Sequence, residues 1–256
     1  MILSDSTGRC TVQSTGSDGF ARFHAPIGAQ YTLCEGTSSV GNWSQSEPSG
    51  GACYEVMCNS ATPTILSPAG ATSLDFGNFC STVSNARSSG YWSNGQGLAV
   101  LQTLPGVLGF LGGLNLRNAD GSDFDPATLT AFQTWLSGAN GVNMAYSLSA
   151  QLAAMELNVL AGYVSGSTLI LGVATVDGTT ITAACADSAG FCTVDALMAE
   201  ANAALAADGF TPSGDPNRPY QEALKDMLQS GNTGGGVFVQ PQACSTSFSA
   251  PSCSTP

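Results

Sequence analysis

"GSDGFARFHAPIGAQYTLCEG", residues 16–36, holds two turn signals and two alternating apolar runs. Ser17-Asp18-Gly19 and Pro26-Ile27-Gly28 have turn chemistry, because glycine takes left-handed angles freely and proline fixes φ. GFARF and AQYTLCEG then read as strands with one half-buried face. Two more runs of this kind, CYEVMC (53–58) and SLDFGNFC (73–80), are set off by Pro48-Ser49-Gly50-Gly51 and Pro68-Ala69-Gly70. Short strands at such spacing predict a small Ig-like β-sandwich over residues 1–80. Upstream, MILSDSTGRCTVQS (1–14) reads as a hairpin in progress, turning at Ser6-Thr7-Gly8 into Cys10-Thr11-Val12-Gln13. With no strand before it, Met1 is expected to begin in the second strand of an incomplete sandwich and to leave an open edge.

From residue 81 the pattern changes. The charge-poor stretch STVSNARSSG (81–90) is expected to be a linker, and residues 91–236 a mostly helical module. In FDPATLTAFQTWLSG (124–138), Asp125 is the expected N-cap, Pro126 the first helical residue, and Leu129, Phe132 and Leu136 the apolar face. VNMAYSLSAQLAAMELNVLAGYV (142–164) puts Leu148, Leu152, Met155 and Val159 on one stripe, while Ser147, Gln151, Ala154 and Asn158 opposite them carry no charge. A helix apolar on one side and uncharged on the other predicts a central, mostly buried element. STLILGVATVDGTTITA (167–183) reads as a hairpin turning at Asp177-Gly178. TVDALMAEANAALAADG (193–209) is a helix capped by Thr193, and PYQEALKDMLQS (219–230) a helix with Pro219 in its first turn. A glycine run, the apolar strand VFVQ and an uncharged tail close the chain, so residues 237–256 form a separate terminal segment. The fold class is therefore α+β in two domains.

The 256 residues carry 18 acidic against 6 basic side chains, a net charge of −12. That field repels phosphate backbones, which excludes nucleic acid as a partner. The longest apolar stretches are broken by Pro105 and glycines, or by Gln151, Glu156 and Asn158, so no membrane insertion is expected. Nine cysteines without metal-knuckle or haem spacing point to disulfides in an oxidising compartment, and few charges among abundant Gly, Ser and Thr fit a secreted protein. Cys185 and Cys192 bracket one short loop and Cys244 and Cys253 another, and both are expected local bridges.

Catalytic constellations are hard to assemble. His24 is the only histidine, and it enters a Pro-Gly turn, so it is expected to be structural. In RNADGSDFDP (117–126), Asn118, Asp120, Asp123 and Asp125 offer oxygen ligands for calcium, but the spacing is not that of an EF-hand. A tight turn leading into the Asp125 cap is expected instead. Trp43, Trp92 and Trp135 lie in separate segments and are expected to anchor cores. No enzyme, metal or cofactor is implied.

The order GSDGFARFHAPIGAQYTLCEG, GNWSQSEPSGGACYEV, SLDFGNF resembles the repeat of SpaA, Sdr B and Cna B type domains, prealbumin-like sandwiches of bacterial surface proteins. The segments GYWSNGQG, LNLRNADGSDFDP, NMAYSLSAQLAAMELNVLAGYVSGS, YQEALKDML and VFVQ resemble an uncharacterised C-terminal module of long secreted bacterial proteins. The first resemblance implies that Cys34 and Cys53 lie on neighbouring strands, leaving Cys10, Cys58 and Cys80 with one further pair possible among them. It also places Glu35 and Asn78 at the glutamate and asparagine positions of an internal isopeptide bond. The nucleophile is missing, because the only lysine is Lys225 in the other half.

These readings combine into an expected function: a non-enzymatic, disulfide-stapled subunit of an extracellular filament or surface layer. Its partner would be itself, joined head to tail. Val237, Phe238 and Val239 of one copy would fill the open sandwich of the next, Cys10 would lock neighbours covalently, and a chain cut after Ser230 would stay folded but stop polymerising. The alternatives are an adhesion or anchoring module of a longer surface protein and, from another class, a secreted sugar-binding protein or hydrolase.

Overall fold

Alternation in the first eighty residues does produce antiparallel strands. The computed structural model describes residues 1–36, 43–48, 52–60, 62–69, 71–234 and 237–239. They divide into two compact units, residues 1–80 with 177–180, and residues 81–176 with 181–239. The fold class is α+β.

In the first unit, β1 (Ile2–Asp5), β2 (Cys10–Val12), β3 (Ala29–Cys34), β5 (Tyr54–Cys58) and β6 (Thr64–Ser67) form one sheet in the order β2-β1-β3-β5-β6. The β1–β2 hairpin turns where Asp5 Oδ1 accepts from Thr7 N at 2.9 Å and Arg9 N at 3.0 Å, with Gly8 at φ 83°. Leu3 faces Leu33, Leu33 faces Tyr54, and Tyr31 faces Val56 across the ladders, so the apolar positions line up in register. Those five side chains are the buried core of this unit. The β4 strand (Trp43–Glu47) pairs instead with the first part of β7 (Gly77–Thr82), Trp43 opposite Cys80.

Two expectations change here. The opening strand is no open edge: β1 is flanked by β2 on one side and β3 on the other, and β2, carrying Cys10, is the strand at the end of that order. GFARF is not a strand either, because Phe20 is left 64% exposed and only Phe23 packs on the core.

The second unit is built round α5 (Met144–Leu160), capped by Asn143 and buried at twelve of its positions. Its uncharged face turns inward as well as its apolar one, with Ala154 and Asn158 both fully covered. Around it lie α1 (Ser89–Trp92), α2 (Gly95–Leu101), α3 (Val107–Gly112), α4 (Leu129–Gly138), α6 (Val194–Ala207) and α7 (Arg218–Asn232). The cap of α4 is Thr128, not Asp125: Thr128 Oγ1 accepts from Ala131 N at 3.1 Å, and Pro126 lies before the helix. Thr193 caps α6 and Pro219 occupies the first turn of α7, as expected. The hairpin β9 (Val173–Val176) and β10 (Thr179–Thr182) turns with Asp177 and Gly178 both at positive φ, the geometry of a type I′ turn.

The terminal strand is the main correction. β12 (Phe238–Val239) pairs within its own chain, Phe238 opposite both Thr82 and Ile170 of β8 (Leu169–Leu171), while β11 (Phe191–Thr193) covers the far side of β8. Phe238 is 1% exposed in the helical core, with Val237 partly buried against it. Val237, Phe238 and Val239 are thus occupied at home, because burying a phenylalanine ring in an existing core outweighs leaving an apolar strand in water. The same pairing draws the 81–90 stretch into the unit: Ser81 and Thr82 belong to the ladder and Arg87 N donates to Asn158 Oδ1 at 2.7 Å. That stretch is no free linker, and residues 237–239 are no separate segment.

Candidate functional site

The acidic loop 117–126 is locked by its own side chains. Asp120 Oδ1 accepts from Ser122 N at 3.0 Å and Ser122 Oγ at 2.6 Å, which holds its carboxyl below the usual carboxylate range. Asp123 pairs with Arg117, whose Nε donates to Leu205 O at 3.1 Å and so ties the loop to the end of α6. Asn118 spends its amide on Ser122 Oγ at 3.1 Å and the Asp123 carbonyl at 3.0 Å. The backbone completes a small hairpin, Asn118 N to Ser122 O and Gly121 N to Asn118 O, with Gly121 at φ 87°. The side chain of Asp125 lies against Gly112, away from this arrangement. Among the described residues no group of three or more His, Cys, Asp or Glu side chains could hold a metal ion.

A chelator is therefore expected to leave the melting temperature unchanged. Calcium at a hundred times its dissociation constant would add about 2.7 kcal/mol. A calcium-dependent rise in calorimetry, lost in Asp120→Ala, would identify a site after all.

Glu35 and Asn78 do meet: Asn78 Nδ2 donates to Glu35 Oε2 at 2.8 Å. Lys225 lies beside Asp226 on α7. The contact is a hydrogen-bonded clamp between the end of β3 and β7, with no lysine amine to attack the amide. His24 is exposed in an irregular segment.

The cysteines divide clearly. Cys34–Cys53 and Cys185–Cys192 are disulfides, with Cα atoms 4.5 and 5.5 Å apart. Cys10 and Cys80 each take part in a disulfide, and Cys58 is the free cysteine among the described residues. Cys10 is thus not the odd thiol, which removes its expected part as a lock between neighbours. Cys244 and Cys253 lie outside the described residues.

Glu200, which the sequence did not single out, proves to be structural. Glu200 accepts from Ala184 N and Cys185 N, both at 2.7 Å, and from the Tyr220 hydroxyl, so α6 and α7 hold the neck of the disulfide loop. Burial, with the Glu200 carboxylate beside it, pushes the Tyr220 phenol up to about 12. No sequence spacing could reveal this pairing, because the partners come from three separate elements.

On α5, Glu156 is raised above its ordinary value of 4.5, first by burial and then by the charge of Asp195. A carboxyl raised on folding makes the native chain bind more protons than the unfolded one. The stability it contributes is present below the unfolded value and lost as pH rises through the folded value. Glu156→Gln is expected to be more stable than the parent near pH 7, with the difference vanishing below about pH 4. Denaturant titrations at both pH values test this, and an unchanged difference would contradict it.

The chain matches no family model, no curated protein and no solved structure. Among the described residues, no helix is long and apolar enough to cross a membrane.

Proposed function

We propose that the protein is a non-catalytic structural subunit of an extracellular bacterial filament or surface layer, its first unit a prealbumin-like sandwich and its second a helical domain. The observation that carries this reading is disulfide closure in both units, at Cys34–Cys53 and Cys185–Cys192. Such bridges persist where thiols are oxidised, outside the reducing cytosol. Other polar side chains add support, since Asp123, Glu35, Asn78 and Glu200 each commit polar atoms to holding loops and strands.

Strand complementation between copies then takes the form of an exchange. β12 leaves its own β7 and β8 and docks on those of a neighbour, a swap that keeps every native contact while joining chains head to tail. Negative-stain microscopy of native material tests the proposal, with filaments or sheets expected and only dispersed single particles contradicting it.

A second reading, an adhesion or anchoring module of a longer surface protein, is favoured by one observation. The pairing of β12 in its own chain lets the helical unit be complete without a neighbour. Dispersed particles in the same micrographs would favour this module.

A further inference from the structure

One face of the helical unit carries a cleft that the structural role leaves unused. Its volume is ≈ 710 Å³, within the range of about 300–1,000 Å³ common for small-molecule sites. One wall is the locked loop, contributing Asn118, Asp120 and Ser122, and the other is the exposed side of α4 with its cap, contributing Thr128, Thr130 and Thr134. Between them lies Phe124, stacked on Trp135 with centroids 4.4 Å apart and planes 4° from parallel. Trp135 is fixed in turn by its indole N–H donating to Arg117 O at 3.1 Å. The aromatic floor is therefore rigid.

The polar atoms left over on the walls define the ligand. Asp120 Oδ1 is committed to Ser122, while its Oδ2 has no partner among the described residues. The Asn118 amide is committed, while its Oδ1 has no partner among the described residues. Thr128 Oγ1 accepts from Ala131 N and keeps its proton to donate; Thr134 Oγ1 donates to Thr130 O and keeps lone pairs to accept. Thr130 has both functions available on an exposed helical face. A row of unspent hydroxyls and carbonyl-type oxygens on both sides of an aromatic floor suits a molecule with hydroxyls round its edge and C–H groups on its face.

Charge narrows the choice. The lining includes no Lys, Arg or His, so an anion would find no counter-charge, and the chain as a whole is at −12. Asp120 is the only charged residue in the lining, and a single carboxylate, already hydrogen-bonded, is a poor cation cage. The geometry points to a neutral carbohydrate as the ligand of this cleft, with Asp120 accepting from a pair of sugar hydroxyls, the threonines completing the hydrogen bonds, and Phe124 meeting the apolar face of the ring. This goes beyond the structural role and holds whether or not the chain assembles.

Saturation-transfer NMR on the full chain, with methyl glycosides of glucose, galactose, mannose and N-acetylglucosamine, tests the inference. Affinity electrophoresis in neutral polysaccharides tells a polymer from a terminal sugar. Binding of at least one neutral sugar is expected. Thr130→Arg, at an exposed helical position, should fill the cleft and abolish the signal. Asp120→Asn, which keeps an oxygen for Ser122, should weaken affinity about tenfold. Should Thr130→Arg melt early, Thr134→Arg, one turn along the same face, serves in its place. Absence of any signal to ~10 mM sugar, a signal that survives both arginine variants, or saturation by choline in preference to every neutral sugar would overturn the assignment.

Discussion

Phe238→Ala is expected to destabilise the helical unit by about 3–5 kcal/mol, the usual cost of removing a buried phenylalanine and leaving its cavity. The ring is 1% exposed and reaches toward α7 at Gly231, where a methyl group would come within 3.2 Å of Phe238 Cζ and 2.7 Å of Met155 Cε. A side chain at Gly231 would have to push aside the ends of Met155 and Ile170, so the ring sits among close neighbours. The strand itself is held by Leu171 N donating to Val237 O at 2.9 Å and by pairing with Thr82 and Ile170. Urea unfolding followed by tryptophan fluorescence, with Trp92 and Trp135 both in this unit, reads the effect. A loss under about 1 kcal/mol would show that β12 is not seated in this core. A chain cut after Ser230 should be damaged more, because it also lacks the buried Asn232. That truncation is thus not the silent probe of assembly the sequence suggested.

Asn158→Leu should cost a similar amount, on the order of 3–5 kcal/mol, although the branched shape of the side chain is kept. Asn158 is wholly buried on α5. Its Oδ1 accepts from Arg87 N at 2.7 Å, and its Nδ2 donates to Arg87 O and to Asn232 Oδ1, each at 2.9 Å. Asn232 passes the network on to the carbonyl of Gln151 at 2.9 Å and to its Oε1 at 3.0 Å. Leucine would strand the Arg87 amide, the Arg87 carbonyl and the Asn232 oxygen, and each buried polar group without a partner costs about 1–3 kcal/mol. Arg87 itself lies over the rings of Tyr91 and Tyr163, at 5.3 and 5.5 Å, so the start of α1 should loosen with it. Hydrogen exchange should show the Arg87 amide losing its protection. A variant as stable as the parent, with that amide still protected, would show that the network carries little weight.

Neither effect is visible in a linear chain, and the reason differs in each case. For α5, the uncharged face of Ser147, Gln151, Ala154 and Asn158 already marked a helix buried on more than one side, because charge is what a solvent-facing surface would carry. What that face touches, Arg87 and Asn232, lies 71 and 74 residues away, and only tertiary packing brings them together. For β12, the β-branched and aromatic residues announce a strand, but a strand's partners are fixed by whichever edge can also bury its side chains. The nearest suitable edge belonged to the same chain.

Local chemistry, by contrast, was legible where neighbours in sequence are neighbours in space. The Asp177-Gly178 turn, the Thr193 cap, the Pro219 start and the Cys185–Cys192 loop all depend on contacts within a few residues. The same locality misled at Asp125, since Asp-Pro and the Thr three residues on are both good helix starts, and Thr128 is the one whose extended backbone lets its hydroxyl reach Ala131 N. The acidic loop 117–126 gives the sharpest contrast. Composition supplied four oxygen-bearing side chains, but the fold delivers Arg117 to Asp123 and Ser122 to Asp120, so that a candidate ion cage becomes one wall of a cleft. The amino-acid sequence by itself determined most of the elements, the Thr193 cap, the Asp177-Gly178 turn and the absence of charge on the buried helix, because these follow from the chemistry of adjacent residues. Only the tertiary structure decided which strand completes which sheet, because β12 finds its partners in β7 and β8, far away in the chain.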